Sequence, residues 1–300
     1  MIIIRLIGGL GNQMFEYAMA KNLAIKNNCE LKIDISWLNK EKNKFKMQDL
    51  YGLKHFNLKT EIATKEEIMK LKLFEGISGK LFKQVNKCLS YKYKRIVVEK
   101  AHEYMPKMKK TSDNTYIEFG YWSCYKYFEK IENKIKKEFS FKKEITNRNL
   151  KLVNKIKNNN SSISLHVRRG DYVNNPIYNT FGLEYYHRSA KFICNKVKDP
   201  TFYIFSDDIE WTKKNLELNC KMVFIEENQK NTLGDGGHND KGIYDMYLMS
   251  LCKHNITANS SFSWWGAWLN KNNKKIICTP KIWFNDIKND SLIPKNWVKL

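Results

Sequence analysis

The order of apolar and amphipathic segments predicts an α/β protein made of two halves, each with a parallel sheet covered by helices on both faces. Three observations carry this. The chain opens on an apolar run that breaks at a glycine-rich turn and continues at helical spacing. From residue 162 onward, short apolar runs alternate with amphipathic stretches of helical length. Between the two patterns lies a polar, Lys- and Asn-rich stretch, and a boundary near residue 155 divides the chain into 1–155 and 156–300.

Taken in order, Ile2 to Ile7 predicts the first strand and Gly8-Gly9-Leu10-Gly11 the turn, after which Phe15, Met19 and Leu23 mark one face of a helix. Glu30 to Ile35 predicts a second strand. Lys65 to Lys87 reads as basic helical material without a chemical motif. Tyr116 to Phe128 is aromatic-rich, and Tyr125 to Phe139 is helical. The second half predicts strands at Ser162 to Val167, Thr201 to Ser206, Lys221 to Ile225 and Asn255 to Ala258, interleaved with helices at Leu183 to Lys196, Ile209 to Asn215 and Ile243 to Lys253. A further helix is expected after Ser260. Ligands of such sheets lie off the carboxyl ends of the strands, so two halves of this kind are expected to form a cleft there. No internal repeat of fixed period is visible.

Composition narrows the function. A content of 42% hydrophobic and 13% aromatic residues supports a substantial core. The apolar runs fall far short of the roughly 20 residues that cross a bilayer. Arg5 and Gly8-Gly9 interrupt what would have to be the apolar region of a secretory signal, so a cytoplasmic location is expected. The seven cysteines are scattered without a C-x-x-C pair and read as reduced structural thiols. A net charge of +22 draws polyanions: nucleic acid, an anionic membrane surface or a phosphorylated substrate. No nucleic-acid fold signature accompanies it, so nucleic acid is not expected as a partner; peripheral contact with an anionic membrane is compatible with it. The Lys-rich runs also fit ordinary solvated faces.

The sharpest motif is Ser164 to Asp171, which sets His166, Arg168, Arg169 and Asp171 where a buried strand ends. Arginine suits a diphosphate, because its planar fork donates two hydrogen bonds and keeps its charge as a nucleoside diphosphate departs. A surface Arg–Asp ion pair is the plainer alternative. In Thr257 to Trp268, the residues Asn259, Ser260, Ser261, Phe262 and Ser263 precede a run of tryptophans; they fit phosphate binding at a helix start, or N-capping with the tryptophans in the core. Gly8 to Gln13 lacks the third glycine of a dinucleotide fingerprint, but it permits close backbone approach, with Asn12 and Gln13 presenting amides to a ligand. Asp207 and Asp208 end a strand. Adjacent acids on a strand point to opposite faces, which disfavours a metal; hydrogen bonding to ribose or base, or helix capping by Asp208, fits better. His238, in the polar loop Gly234 to Asp240, belongs to a candidate lid or a plain surface loop.

As an ordered set these motifs resemble the α-1,2-fucosyltransferase family, which includes bacterial glycan-building enzymes and the blood-group H transferases. The resemblance runs through Gly8 to Phe15, Gly120 to Ser123 with Tyr127-Phe128, His166 to Tyr172, Phe205 to Asp208, Asp245 to Trp268, Trp283, and Pro294 to Trp297. It implies a GT-B architecture of two Rossmann-like domains with a cleft between them. The N-terminal domain would be on the acceptor side and the C-terminal one would bind GDP-fucose, with the last residues able to pack back on the N-terminal domain. It implies inverting transfer of L-fucose from GDP-β-L-fucose to the 2-hydroxyl of a terminal galactose, without metal or other cofactor, in the building of an O-antigen or another surface glycan.

By the same resemblance Arg168 and Arg169 stabilise the diphosphate, and Asn259 to Ser263 hold phosphate oxygens. Asp207 contacts the nucleoside, and Gly11, Asn12 and Gln13 approach the donor. Trp122, Tyr172 and Asn12 face the acceptor. His166, Asp171 and Arg169 act at the reaction centre, with Asp171 the first candidate for general base and His166 the second. The family's aromatic block carries Gln after its Trp, whereas here Trp122 is followed by Ser123 and Cys124, which leaves acceptor preference open.

Overall fold

The computed structural model describes residues 1–45, 50–72, 84–100, 104–106, 108, 111–112, 114–226, 240–285, 287 and 291–300. These form two compact units: Met1–Phe139 with Asn289–Leu292, and Ser140–Lys288 with Ile293–Leu300. The division falls between Phe139 and Ser140 rather than near residue 155. The intervening stretch is polar on average but carries the buried Ile145 and Val153, with buried Ile156 just after it. Tyr244 donates from its hydroxyl to the Arg148 carbonyl at 2.9 Å, and the Phe141 and Tyr247 rings lie 5.1 Å apart. These apolar side chains, on the two short helices Lys143–Thr146 and Leu150–Lys157, outweigh the many charges around them. The chain's last residues, Ile293–Leu300, likewise go with the second unit.

The first unit holds an all-parallel sheet of order β3-β2-β1-β5-β4. Its strands are β1 (Ile2–Arg5), β2 (Leu31–Asp34), β3 (Glu61–Ile62), β4 (Ile96–Val98) and β5 (Thr115–Phe119). Central β1 is buried because Ile2, Ile3 and Ile4 are apolar on consecutive positions, as a strand covered on both faces requires. The first helix, Leu10–Asn27, begins inside the glycine run, with Gly9 as its N-cap and Gly8 at φ +67° making the reversal. It ends at Asn28, whose left-handed backbone lets its N–H reach the carbonyls of Ala24 and Ile25. Strands β3 and β4 escaped the sequence reading because two or three edge residues leave no periodicity.

The second unit holds six parallel strands ordered β11-β10-β9-β6-β7-β8. These are β6 (Ser162–Val167), β7 (Thr201–Ser206), β8 (Lys221–Phe224), β9 (His254–Ile256), β10 (Ile277–Thr279) and β11 (Val298–Lys299). Renumbered from β6, the order is the 3-2-1-4-5-6 of a doubly wound dinucleotide-type sheet, reversing between β6 and β9. Every residue of β6 and β7 is buried, and the core runs from Ile163 and Leu165 through Phe202 and Ile204 to Tyr185 and Ile193 of the helix Leu183–Cys194. Among the described residues, no helix is long and apolar enough to cross a membrane. The expected loop around His238 lies outside the described residues.

Candidate functional site

The order of the second sheet sends successive connections to opposite sides at β6 and β9, which opens a crevice past their carboxyl ends. The side chains delivered there are the ones the sequence singled out. Arg168 and Arg169 are the first two residues after β6, and the residues from Thr257 onward leave β9. A cavity of about 310 Å³ lies at this end, lined by Arg168, Arg169, Tyr172, Tyr178, Trp211 and Asn259 among others.

Both arginines are held by carboxylates. Asp207, just past β7, accepts the Arg169 backbone N–H through Oδ1 at 2.8 Å and meets Arg168 Nη1 through Oδ2 at 3.2 Å. Asp171 takes Arg168 Nη2 at 2.7 Å. Asp208 takes Arg169 Nε at 3.2 Å, while its other oxygen accepts the Trp211 N–H and caps the helix Ile209–Asn215. The Arg169 guanidinium lies 3.4 Å from the centre of the Trp211 ring. Burial works against the Arg168 charge, and Asp207 and Asp171 outweigh it. Burial also lifts the Asp207 carboxyl above its ordinary value, against the pull of Arg168. Gly170 is required sterically, since a Cβ there would stand 2.5 Å from Asp207 Oδ2.

His166, the next-to-last residue of β6, is 4% exposed and its ring lies 5.5 Å from that of Phe262. Burial, with Arg168 nearby, pushes its pKa down to about 3, so the imidazole is neutral at physiological pH. Its Nδ1 and the Nε of Arg168 are buried without a hydrogen-bond partner, a state that a ligand would relieve. Tyr172 stacks on Tyr178 at 4.4 Å and lies 5.2 Å from the Arg168 guanidinium. It lines the same cavity as the arginines.

The structure corrects several expectations. Asn259 lines the cavity, but its side-chain nitrogen donates to the carbonyls of Tyr178 (2.8 Å) and Trp283 (3.0 Å) and to Thr180 Oγ1 (3.3 Å). It ties two loops together instead of offering an N–H to phosphate. The Ser263 hydroxyl is buried and donates to the Ala258 and Ser260 carbonyls. Ser260 is buried and hydrogen-bonded to Tyr172, whereas Ser261 and Phe262, at the start of the helix Ser261–Trp268, stay half-buried. Asp207 has both oxygens on the arginines, so it positions them.

In the first unit, Gln13 is fully buried. Its nitrogen donates to the carbonyls of Gly8 (3.0 Å) and Leu50 (2.8 Å) and its oxygen accepts the Gly52 N–H (3.0 Å), so it pins the glycine turn rather than a ligand. Gly11 is buried within the first helix, and Asn12 remains partly exposed on its first turn. Trp122 is 0% exposed at φ +51°, packed edge-on against Tyr127 at 5.7 Å, and is a core residue rather than an acceptor contact. Sequence reasoning missed Trp211 and Tyr178; the one available signal for Trp211 was its place three residues after the capping Asp208, in the first turn of a helix. Among the described residues, no three His, Cys, Asp or Glu side chains come together as a metal site would require.

Comparison with known proteins follows the same lines. The chain is 31% identical to the alpha-1,2-colitosyltransferase of Escherichia coli, over 100% of this chain and 98% of that protein. It is 29% identical to the O-antigen biosynthesis glycosyltransferase WbnK of Escherichia coli, over 98% and 99%. A more distant relative, galactoside alpha-(1,2)-fucosyltransferase 1 of Rattus norvegicus, is 22% identical over 56% of this chain and 46% of that one. The fold is similar to that of the alpha-1,6-fucosyltransferase NodZ soaked with GDP-fucose, with a TM-score of 0.50 and 15% identity over 89% of this chain and 92% of that one. It is also similar to that of Arabidopsis thaliana FUT1 in complex with GDP, with a TM-score of 0.53 and 13% identity over 98% and 74%. The chain is therefore two parallel-sheet α/β units of the GT-B class. The sequence profile of glycosyl transferase family 11 matches residues 1–300, and the chain belongs to that family.

Proposed function

We propose that the chain transfers L-fucose from GDP-β-L-fucose to the 2-hydroxyl of a terminal galactose, with inversion and without a metal. The second unit takes the donor and the first unit presents the acceptor. The observation that carries this reading is the arginine pair past β6, held in place by Asp207, Asp171, Asp208 and Trp211 before any ligand arrives. Donors fixed in advance stabilise charge that develops later, at little reorganisation cost. Arg168 and Arg169 hold the diphosphate while the bond from its oxygen to the anomeric carbon breaks, and the acceptor oxygen attacks that carbon from the opposite face. The orphaned His166 Nδ1 and Arg168 Nε are points where donor groups would gain partners. Tyr172 and Tyr178 supply apolar faces for the sugar or base.

A second reading is favoured by the 31% identity to a colitosyltransferase. Colitose is fucose without its 3-hydroxyl. A pocket that hydrogen-bonds this hydroxyl rejects the deoxy sugar by about 10⁴-fold, whereas one that merely encloses it discriminates by only about 10²-fold. The test is release of GDP from GDP-fucose and from GDP-colitose, with EDTA present, across a panel of galactosides, with linkage analysis of the product. Acceptor-dependent release from GDP-fucose with an α-1,2 product supports the first reading. Preference for GDP-colitose supports the second, and a requirement for added divalent metal overturns the metal-free mechanism.

A further inference from the structure

At the edge of the second sheet where its strands begin, opposite the end that carries the arginines, two cysteines meet. The helix Leu183–Cys194 brings the chain back from the carboxyl end of β6 toward the start of β7, and its last residue is Cys194. Strand β8 runs parallel to β7 with Lys221 opposite Thr201, so the two strands start side by side. Cys220 is the residue just before β8. The fold thus returns two positions 26 apart in sequence to one edge, with their Sγ atoms 3.0 Å apart.

The surroundings suit chemistry as well as packing. Cys124, Cys252 and Cys278 are sealed in the interior, whereas Cys194 and Cys220 are half-buried, each lying against the core of its unit and still open on one side. A small reagent can reach sulfurs so placed, and they stand within about 1 Å of bonding distance. Burial and the adjoining Cys220 push the Cys194 thiol up to about 12, so it keeps its proton at neutral pH and leaves Cys220 to attack first. The wide sequence spacing concealed the pair, because C-x-x-C patterns record only close neighbours.

We propose that Cys194 and Cys220 form a redox modification site, which a small-molecule disulfide of the glutathione class converts to an intrachain disulfide. The Cys220 thiolate attacks one sulfur of the reagent, whose S–S bond breaks; one thiolate leaves with the electron pair and takes a proton from solvent. The Cys194 sulfur then gives its proton to solvent and attacks the Cys220 sulfur, and the second reagent thiolate leaves and is protonated. Two protein thiols are oxidised, and one reagent disulfide is reduced to two thiols. The new bond closes a ring of chain from Cys194 to Cys220. That ring contains β7, Asp207, Asp208 and the helix Ile209–Asn215 with Trp211, the groups that hold Arg168 and Arg169. Joining sulfurs that already touch restricts the unfolded chain far more than it alters the folded one. Oxidation therefore staples the segment that supports the arginines, whichever sugar nucleotide they serve.

The test incubates the full chain, as wild type, Cys220→Ser and Cys194→Ser, with oxidised glutathione and then alkylates the remaining thiols. Unreduced peptides are mapped by mass spectrometry, and Tm is measured before and after dithiothreitol. Wild type is expected to yield a Cys194–Cys220 linked peptide pair, two hydrogens lighter than the separate thiol peptides. Its Tm is expected to rise by roughly 5–10 °C, and dithiothreitol is expected to reverse the rise. Cys194→Ser is expected to stop with one glutathione on Cys220, and Cys220→Ser to give neither the link nor the rise. Exposed Cys88 reports that the reagent has acted. With Cys88 modified, the proposal is overturned if wild-type Cys194 and Cys220 are both alkylated, if either retains glutathione, or if either is linked to another cysteine. A linked pair with unchanged Tm overturns the staple. The wild-type map decides the matter even where a variant does not fold.

Discussion

Both sheets are parallel and centred on the first strand of their unit, yet the residues past their central strand ends are chemically opposite. Past β6 stand two guanidiniums gripped by three carboxylates and a tryptophan face. Past β1 and β5 stand glycines, an asparagine and a tyrosine, with one partly exposed carboxylate, that of Glu99, gripped by backbone N–H groups. The topology chooses where a ligand lies, and the few residues after each strand end decide what it is. A polyanion fits the first corner.

Breaking the basic corner has the largest expected effect. Arg169→Lys keeps the charge but loses the fork and the face on Trp211, and kcat for transfer is expected to fall by about 10²-fold or more, measured by GDP release at saturating acceptor. Gln13→Ala strikes the other corner structurally. It strands the Gly52 N–H and the Leu50 carbonyl in the interior, so a loss of about 1–3 kcal/mol in urea unfolding is expected, with GDP affinity per folded molecule unchanged. Gly170→Ala is smaller: it pushes Asp207 off Arg168 without removing a charge, and GDP affinity by calorimetry is expected to drop about tenfold.

The pH dependence of stability sharpens the comparison most. Glu99 binds its proton more tightly in the fold, with a pKa of about 7 against an ordinary 4.5, so stability is lost as pH rises through that window. Glu99→Gln should therefore gain in Tm relative to wild type between pH 4.5 and 7 and stay level above it. His166 runs the other way. With a folded pKa of about 3 against 6.5, it costs stability as pH falls below 6.5, so His166→Gln should gain relative to wild type on acidification. Parallel Tm–pH curves for either variant and wild type would contradict the corresponding assignment.

Much of this was legible in the sequence for one reason: a short run with apolar residues at strand spacing, closed by charged residues, announces both the strand and its end. Ser162–Val167 and Thr201–Ser206 matched residue for residue, and with them the positions of Arg168, Arg169 and Asp207. What the sequence did not show was the direction in which polar side chains turn. Gln13, Asn259 and Ser263 have the chemistry of ligand contacts, but each serves its own backbone. An aromatic residue in a motif is equally ambiguous, and Trp122 proved to be core. Glu99 was invisible because its surroundings depend on a register shift and on a glycine at positive φ more than twenty positions away. No periodicity records either.

The contact between Arg169 and Trp211 has an optical consequence. An indole lying 3.4 Å from a cation emits light in a way that depends on where that cation sits, while Trp122, Trp264, Trp265 and Trp268 are sealed in the interior. A nucleotide that draws the guanidinium toward its phosphates alters the surroundings of Trp211 and leaves the buried indoles in place. If the proposed donor site is right, Trp211 is a fluorescent gauge of its occupancy, and the signal that vanishes in Trp211→Phe belongs to that one residue.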